Sequence, residues 1–163
     1  MERYFAALQS NGADLAVKIP ASSIITGAWT VFKCKYGCAA YGKSHCCPPN
    51  CFTWKETQEM IDCYQYGILF RCHEMRAVAP LAVKLAGELF LAGYYKAIAF
   101  GSGPCKICRE CHPDHCNFPN KAIPSMEACG IDVFATVRNN GLEIHTLKEA
   151  GETQNHFGLI LVE

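Results

Sequence analysis

Residues 89–111 read LFLAGYYKAIAFGSGPCKICREC, and this stretch joins three kinds of structure in one run. Its first residues end an apolar segment with helical spacing that begins at Ala77, and Gly93 stops that helix. Tyr95–Phe100 has the length and composition of a strand. The strand leads into Gly101–Pro104, whose glycines let the backbone approach a bound group closely. We therefore expect a helix, a strand and a cysteine-rich loop in direct succession.

The cysteines of this loop have the spacing of an iron–sulfur site. Cys105, Cys108 and Cys111 are separated by two residues each, so one loop can offer a thiolate to each of three irons. Cys116 follows after four residues, where bacterial ferredoxins have three. The spacing predicts a [4Fe–4S] cluster on these four cysteines.

Zinc is the alternative metal for the same loop. Structural zinc sites usually combine two separated pairs of ligands around one tetrahedral ion. Cys108 and Cys111 would form one such pair, and Cys116 with His112 or His115 would form the other. In that case the metal would stabilise a structural or interaction module instead of carrying electrons.

An earlier segment, CKYGCAAYGKSHCCPPNC at residues 34–51, contains a second group of cysteines. Cys34, Cys38 and Cys47 are its candidate ligands, and soft thiolates at this spacing favour a metal over disulfides. A second [4Fe–4S] cluster would need a fourth ligand, and a cluster without one would have an open iron for chemistry. The candidates for that fourth ligand are Cys46, Cys51 and Cys116.

Twelve cysteines could also belong to a secreted domain held together by disulfides, so the expected compartment matters. Residues 1–20 contain no basic segment followed by an apolar one, as a signal peptide would. No apolar run reaches the ~20 residues that a membrane-spanning helix needs. We therefore expect a cytoplasmic protein without a membrane partner, in which clustered cysteines are ligands or catalysts.

Charge and length limit the other classes of function. Fifteen basic and fifteen acidic residues leave no net charge, and this balance predicts no nucleic-acid partner. A chain of 163 residues fits one domain, residues 1–163, with a core of its own.

Helices and strands alternate without a parallel βαβ repeat, which predicts an α+β fold with a mixed or antiparallel sheet and two cysteine-rich metal-binding loops. Helices are expected over 2–10, 53–64, 77–91, from 124 and over 131–139, and strands over 14–19, 28–32, 66–71, 95–100, 142–147 and 157–162.

Together these motifs resemble a known family, the domain of unknown function 2284, whose members are described as predicted metal-binding proteins. The segments that carry the resemblance are CKYGCAAYGKSHCCPP (34–49), LFLAGYYKAIAFGSGPCKICREC (89–111), PSMEACGIDVFATVRNNG (124–141) and the closing FGLILVE. The resemblance implies a cytoplasmic metalloprotein with the family's cysteines at Cys34, Cys38, Cys47, Cys105, Cys108, Cys111 and Cys116. Cys46 and Cys51 depart from the family pattern, and the family carries no established reaction.

Three functions follow from this sequence. The first is electron transfer to a redox partner protein by one or two [4Fe–4S] clusters, since no catalytic motif is evident. The second is an enzyme in which a cluster on three cysteines has an open iron. Its acid–base groups would come from Tyr41, Tyr94, Glu127 and Asp132. The third is the zinc-stabilised interaction module.

Overall fold

The centre of the molecule is a four-stranded antiparallel sheet. The computed structural model describes all of residues 1–163. Its strands are β1 (Leu15–Pro20), β2 (Tyr66–Cys72), β3 (Ile98–Phe100) and β4 (His156–Leu161), in the spatial order β1-β2-β4-β3. β2 pairs through residues 66–71 with β1 on one side and through residues 67–72 with β4 on the other. The predicted α+β fold is confirmed, and every strand pair is antiparallel.

Five helices surround this sheet: α1 (Glu2–Ser10), α2 (Ala28–Gly37), α3 (Trp54–Ile61), α4 (Met75–Leu91) and α5 (Val133–Asn139). Single 3-10 turns occur at Ala21–Ser23 and Glu127–Cys129. α3 begins with a capping box, in which Thr53 and Glu56 satisfy each other's backbone amides. None of the helices combines the length and the apolar character needed to span a lipid bilayer.

The two faces of the sheet bury two separate groups of apolar side chains. Ile68 and Phe70 of β2 pack against α1 and α4, whereas Leu69 between them packs on the opposite face with residues of α5. This alternation is what a strand with two covered faces requires. All three side chains have no measurable exposure. The sheet is therefore the middle layer of the fold.

The cysteine-bearing segments lie on either side of one connecting segment, residues 124–132. Gly101, at the start of the second cysteine loop, donates its amide to the Pro124 carbonyl over 2.8 Å. Gly27, which precedes α2, donates its amide to the Gly130 carbonyl, also over 2.8 Å. The connecting segment thereby holds both cysteine groups at the same end of the molecule.

Gly130 makes this arrangement possible. Its φ of +88° lies in the left-handed region that favours glycine, and a Cβ atom there would lie 2.3 Å from the Cβ of Trp54. Only a residue without a side chain lets the connecting segment contact the start of α3 so closely.

Several predicted elements differ from the structure. Residues 28–32, predicted as a strand because of Thr30, Val31 and Phe32, form the start of α2, since intrinsic strand preference is weaker than tertiary context. Residues 142–147 form no strand; Ile144 instead packs into the core as an irregular segment. The helix expected from residue 124 is only the 3-10 turn Glu127–Cys129.

Two predicted boundaries also move. α4 begins at Met75 instead of Ala77, so Pro80 lies in its second turn and not in the first. The strand expected over 95–100 is limited to Ile98–Phe100, because only these residues pair with β4.

Candidate metal centre

Five thiols line one small cavity in the second cysteine loop, which follows β3. They belong to Cys46, Cys105, Cys108, Cys111 and Cys116. The rest of the wall is mainly apolar, with Ile107, Phe118 and Ala122. The structure thus brings together the four cysteines predicted for this site and adds a fifth from the other segment. Five soft sulfur donors around one apolar space suit a thiophilic metal centre.

Cys46 is the fifth thiol of this cavity, and the sequence does not place it at this site. It was a candidate fourth ligand of the first group, and it lies instead beside Cys105 and Cys116. Its side chain is buried, with 5% exposure, and burial together with these neighbouring sulfurs raises the pKa of its thiol to about 12. Two adjacent cysteines in an irregular segment point to different neighbours, so Cys46 faces the second group and Cys47 the first.

Polar contacts join the two cysteine segments at Cys111. The amide of His45 donates to the Cys111 sulfur over 3.4 Å, and the Ser44 hydroxyl oxygen lies 3.9 Å from the same sulfur. The ring Nδ1 of His45 lies 2.7 Å from the Pro113 carbonyl oxygen. Contacts of this kind around a ligand sulfur fix its orientation and adjust the properties of a bound metal.

The first cysteine group surrounds Cys34. The thiols of Cys38, Cys47 and Cys51 lie near it, and burial together with these neighbours raises the pKa of the Cys34 thiol. A loop after a strand is expected for each cysteine group, and for Cys34 this expectation is wrong, whereas Cys47 and Cys51 lie in an irregular segment. Cys34 lies in the last turn of α2, and Cys38 is the residue that ends this helix. A helix therefore fixes the spacing of the first two thiols.

Cys51, and not Cys46 or Cys116, is the fourth thiol of this first group. Its sulfur donates to the Ala128 carbonyl over 3.1 Å. A hydrogen bond from the buried Cys129 thiol lowers the pKa of Cys51, and the same contact and burial raise the pKa of Cys129. Cys51 thus has two polar partners that the other thiols of its group do not have.

The remaining cysteines and the acid–base candidates are dispersed. Cys72 is buried under α4, whereas Cys63 is exposed just after the end of α3. Asp132 accepts from the amide of Ala135 and so caps α5. Tyr94 packs with the cluster under α4, away from both cysteine groups. Two of the acid–base candidates lie near thiols. Glu127 is exposed and lies beside Cys34, and Tyr41 lines a cavity with Cys51.

The thiols form two neighbourhoods and not a closed coordination shell. No three His, Cys, Asp or Glu side chains are close enough in this structure to hold one metal ion. None of the twelve cysteines is in a disulfide. Thiolates that lie this close together repel one another, and a bound cation removes that repulsion as the thiols lose their protons. The chemistry of the donor set therefore fits a metal centre, and loading one requires the side chains to turn inward.

Comparison with known proteins agrees with this chemistry. No curated protein and no solved structure matches the chain. A family profile, described as predicted metal-binding protein (DUF2284), matches residues 17–162, which include both cysteine groups. The chain therefore belongs to the DUF2284 family of predicted metal-binding proteins.

Proposed function

We propose that this protein carries one or two [4Fe–4S] clusters and transfers electrons to or from a redox partner protein. The observation that carries the proposal is the cavity lined by five thiols, three of which have the spacing of a ferredoxin loop. Cys105, Cys108 and Cys111 would each hold one iron. When bound, the cluster would supply one-electron chemistry, and the chain would supply its ligands, its apolar surroundings and the hydrogen bonds to its sulfurs.

The fourth ligand of this cluster comes from Cys116 or from Cys46, since both thiols line the cavity. Cys116 belongs to the same loop, as in ferredoxin-type runs, and it is the ligand that we propose. Cys46 is closer to the protein interior, with 5% exposure. It would then stand beside the cluster as an unligated thiol.

The first group would hold the second cluster through Cys34, Cys38 and Cys47. Cys47 lies near Cys105 of the other group as well as near Cys38, so the two centres would be neighbours. Two clusters that lie close together suit electron transfer between them. Cys51 is the candidate fourth ligand.

The helix that carries Cys34 also presents a surface that suits a partner. Trp29, Phe32 and Tyr36 are exposed on α2 at intervals of three and four residues, by 47%, 64% and 69%. Lys33 and Lys35 lie over the rings of Trp29 and Tyr36, respectively. An apolar stripe with flanking lysines fits a redox partner whose docking face combines apolar and acidic side chains.

A second candidate function is an enzyme with an open iron in the first centre. One observation favours it: Cys51 is hydrogen-bonded to Ala128 and Cys129, so it can stay a thiol while Cys34, Cys38 and Cys47 hold the cluster. In that case a small molecule would bind where the fourth thiolate is missing. A cluster spectrum that changes on addition of such a molecule would favour this candidate over electron transfer.

The deciding experiment counts metal and acid-labile sulfide in protein purified without oxygen. About eight irons and eight sulfides per chain, with a visible band that bleaches on reduction, are expected for two clusters, and about four of each for one. Stoichiometric zinc without sulfide would overturn the proposal.

Variants then assign the ligands. Cys116→Ser should remove about four irons, whereas Cys46→Ser should keep them, and the reverse result would make Cys46 the ligand. Cys63→Ser is the matched control, because Cys63 is exposed and its thiol hydrogen-bonds only to the Glu59 carbonyl.

A further inference from the structure

A second cavity lies next to the five-thiol cavity and shares Cys105 with it. It has a volume of about 410 Å³ and lies between the first two turns of α4, the loop 101–107 and residues Lys121 and Ile123. This volume falls in the range of small-molecule sites, roughly 300–1,000 Å³. The cavity is large enough for a metabolite, and one of its walls is part of the candidate metal centre.

Three cations line this cavity without a counter-charge. Arg76, Lys106 and Lys121 come from three separate segments, and no Asp or Glu is among the lining residues. The ion pairs of the chain involve only Asp14 and Glu152 as acids, so none of the three cations is paired. Positive charges that converge on a concave, partly apolar surface concentrate their field there and attract anions.

The backbone around the cavity adds hydrogen-bond donors, which favour anions as the three cations do. α4 starts at the cavity, and the amides of Met75 and Arg76 in its first turn have no carbonyl acceptor. Such amides, at the positive end of the helix dipole, favour negative charge. The Ser102 hydroxyl also lines the cavity and has no hydrogen-bond partner among the protein's side chains.

Gly103 brings the loop against the helix. Its φ is +69°, and a Cβ atom there would lie 2.5 Å from the sulfur of Met75. The left-handed φ favours glycine at this position, where the loop packs against the side chain of Met75. This contact places the loop against the first turn of α4, and the two form adjacent walls of the cavity.

We propose that this cavity binds a small organic anion with at least two negative charges, carried by phosphate or carboxylate groups, directly beside Cys105. The cations and amides would hold the charged groups. Ala79, Pro80 and Ile123 would contact the carbon skeleton. This inference goes beyond the proposed function, because the cavity and its charges are independent of which metal the thiols hold.

The test is isothermal titration calorimetry on the full, metal-loaded chain, with glycerol 2-phosphate and succinate as probes. Both are doubly charged and chelate iron weakly. We expect a Kd below about 1 mM for at least one of them, weakened by added salt. Tighter binding of glycerol 2-phosphate would assign a phosphate ligand, and tighter binding of succinate a carboxylate.

Charge-removing variants locate the site. Arg76→Gln and Lys121→Gln should each weaken binding about tenfold or more, since a hydrogen bond to a charged group is worth about 1.5–3 kcal/mol. Lys84→Gln is the matched control, because Lys84 is exposed on the same helix outside this cavity and should leave the Kd unchanged. No binding of either probe at 10 mM, or equal effects of all three variants, would overturn the inference.

Metal and sulfide counts on each sample separate this inference from the proposed function. Anion binding with zinc in place of iron would leave the cavity assignment standing and reject the clusters. Normal iron and sulfide without anion binding would do the opposite.

Discussion

The sheet and the cysteine segments are stabilised in different ways. In β2 and β4, side chains such as Ile68, Leu69 and Ile160 have no measurable exposure, and backbone pairing is continuous. Residues 39–53 and 102–124 contain no helix or strand, and Cys38 between α2 and the first of these segments is exposed. The sheet depends on apolar burial, whereas the cysteine segments have little of it.

This difference indicates what the metal would do for the fold. Segments with few buried contacts have low local stability and open before the core does. Ligand bonds to a metal would supply the missing stabilisation, because binding free energy becomes folding free energy when the site is not formed without metal. The sheet should therefore persist without metal, and the cysteine segments should not. Three predictions test this division.

The largest effect is expected in the core. Phe70 has no measurable exposure, and its ring occupies the space over Gly158, where a Cβ atom would lie 2.4 Å from the Phe70 Cζ. Phe70→Ala should lower the free energy of unfolding by about 3–5 kcal/mol, measured by urea denaturation. Phe90→Ala is the control: Phe90 is 57% exposed on α4 and its removal should have little effect. Equal effects of the two variants would contradict the division.

An intermediate effect is expected at the junction of the two regions. Gly130→Ala places a Cβ atom against Trp54 at a left-handed φ, and this should lower the free energy of unfolding by about 1–3 kcal/mol or more. It should also lower metal occupancy, because Gly130 follows Cys129 beside the first cysteine group. Gly87→Ala, in α4 with no atom within 4 Å of the new Cβ, should instead stabilise the protein by about 0.4–1 kcal/mol. Full metal occupancy in Gly130→Ala would show that metal binding does not depend on this junction.

Sequence patterns predict the core better than the cysteine segments. Short apolar runs of strand length identify β2 and β4, and Thr53 with Glu56 identifies the start of α3, because these signals are local. Residues 28–32 mislead, because their residue types favour strands but the segment contacts the Glu127–Cys129 turn as a helix. Residues 142–147 mislead as well. Their alternating pattern favours a strand, but no other strand lies beside them to pair with.

The candidate site shows the same limit. The spacing of Cys105, Cys108 and Cys111 is a local signal, and the structure keeps them in one cavity. The position of Cys46 depends on how residues 44–47 pack against residues 111–113, which no spacing encodes. Three-dimensional packing, not composition, divides Cys46 and Cys47 between the two groups. That the seven predicted cysteines bind metal stays a prediction.

The smallest effect is expected at Ser44, where the two cysteine groups meet. Ser44 is 6% exposed, its hydroxyl oxygen accepts from the Cys46 amide over 3.3 Å, and it lies 3.9 Å from the Cys111 sulfur. Here the Cys111 thiol is the donor to this oxygen. Once Cys111 loses its proton to bind metal, the hydroxyl would donate to the ligand sulfur instead and stabilise the more negative, reduced state. Ser44→Ala should therefore lower the reduction potential, on the order of 50 mV, since a tenfold change in a one-electron equilibrium is ~59 mV.

The control for Ser44→Ala is Ser22→Ala, because Ser22 is exposed and lies in the 3-10 turn Ala21–Ser23, outside both cysteine groups. Spectroelectrochemical titration of both variants measures the difference. The same hydroxyl contacts Cys47 and lowers the pKa of its thiol, although burial leaves that pKa raised overall. If two clusters are present, both potentials should fall in Ser44→Ala while the free energy of unfolding of the core changes little. A shift in stability without a shift in potential would mean that Ser44 belongs to the packing of the fold and not to the metal centre.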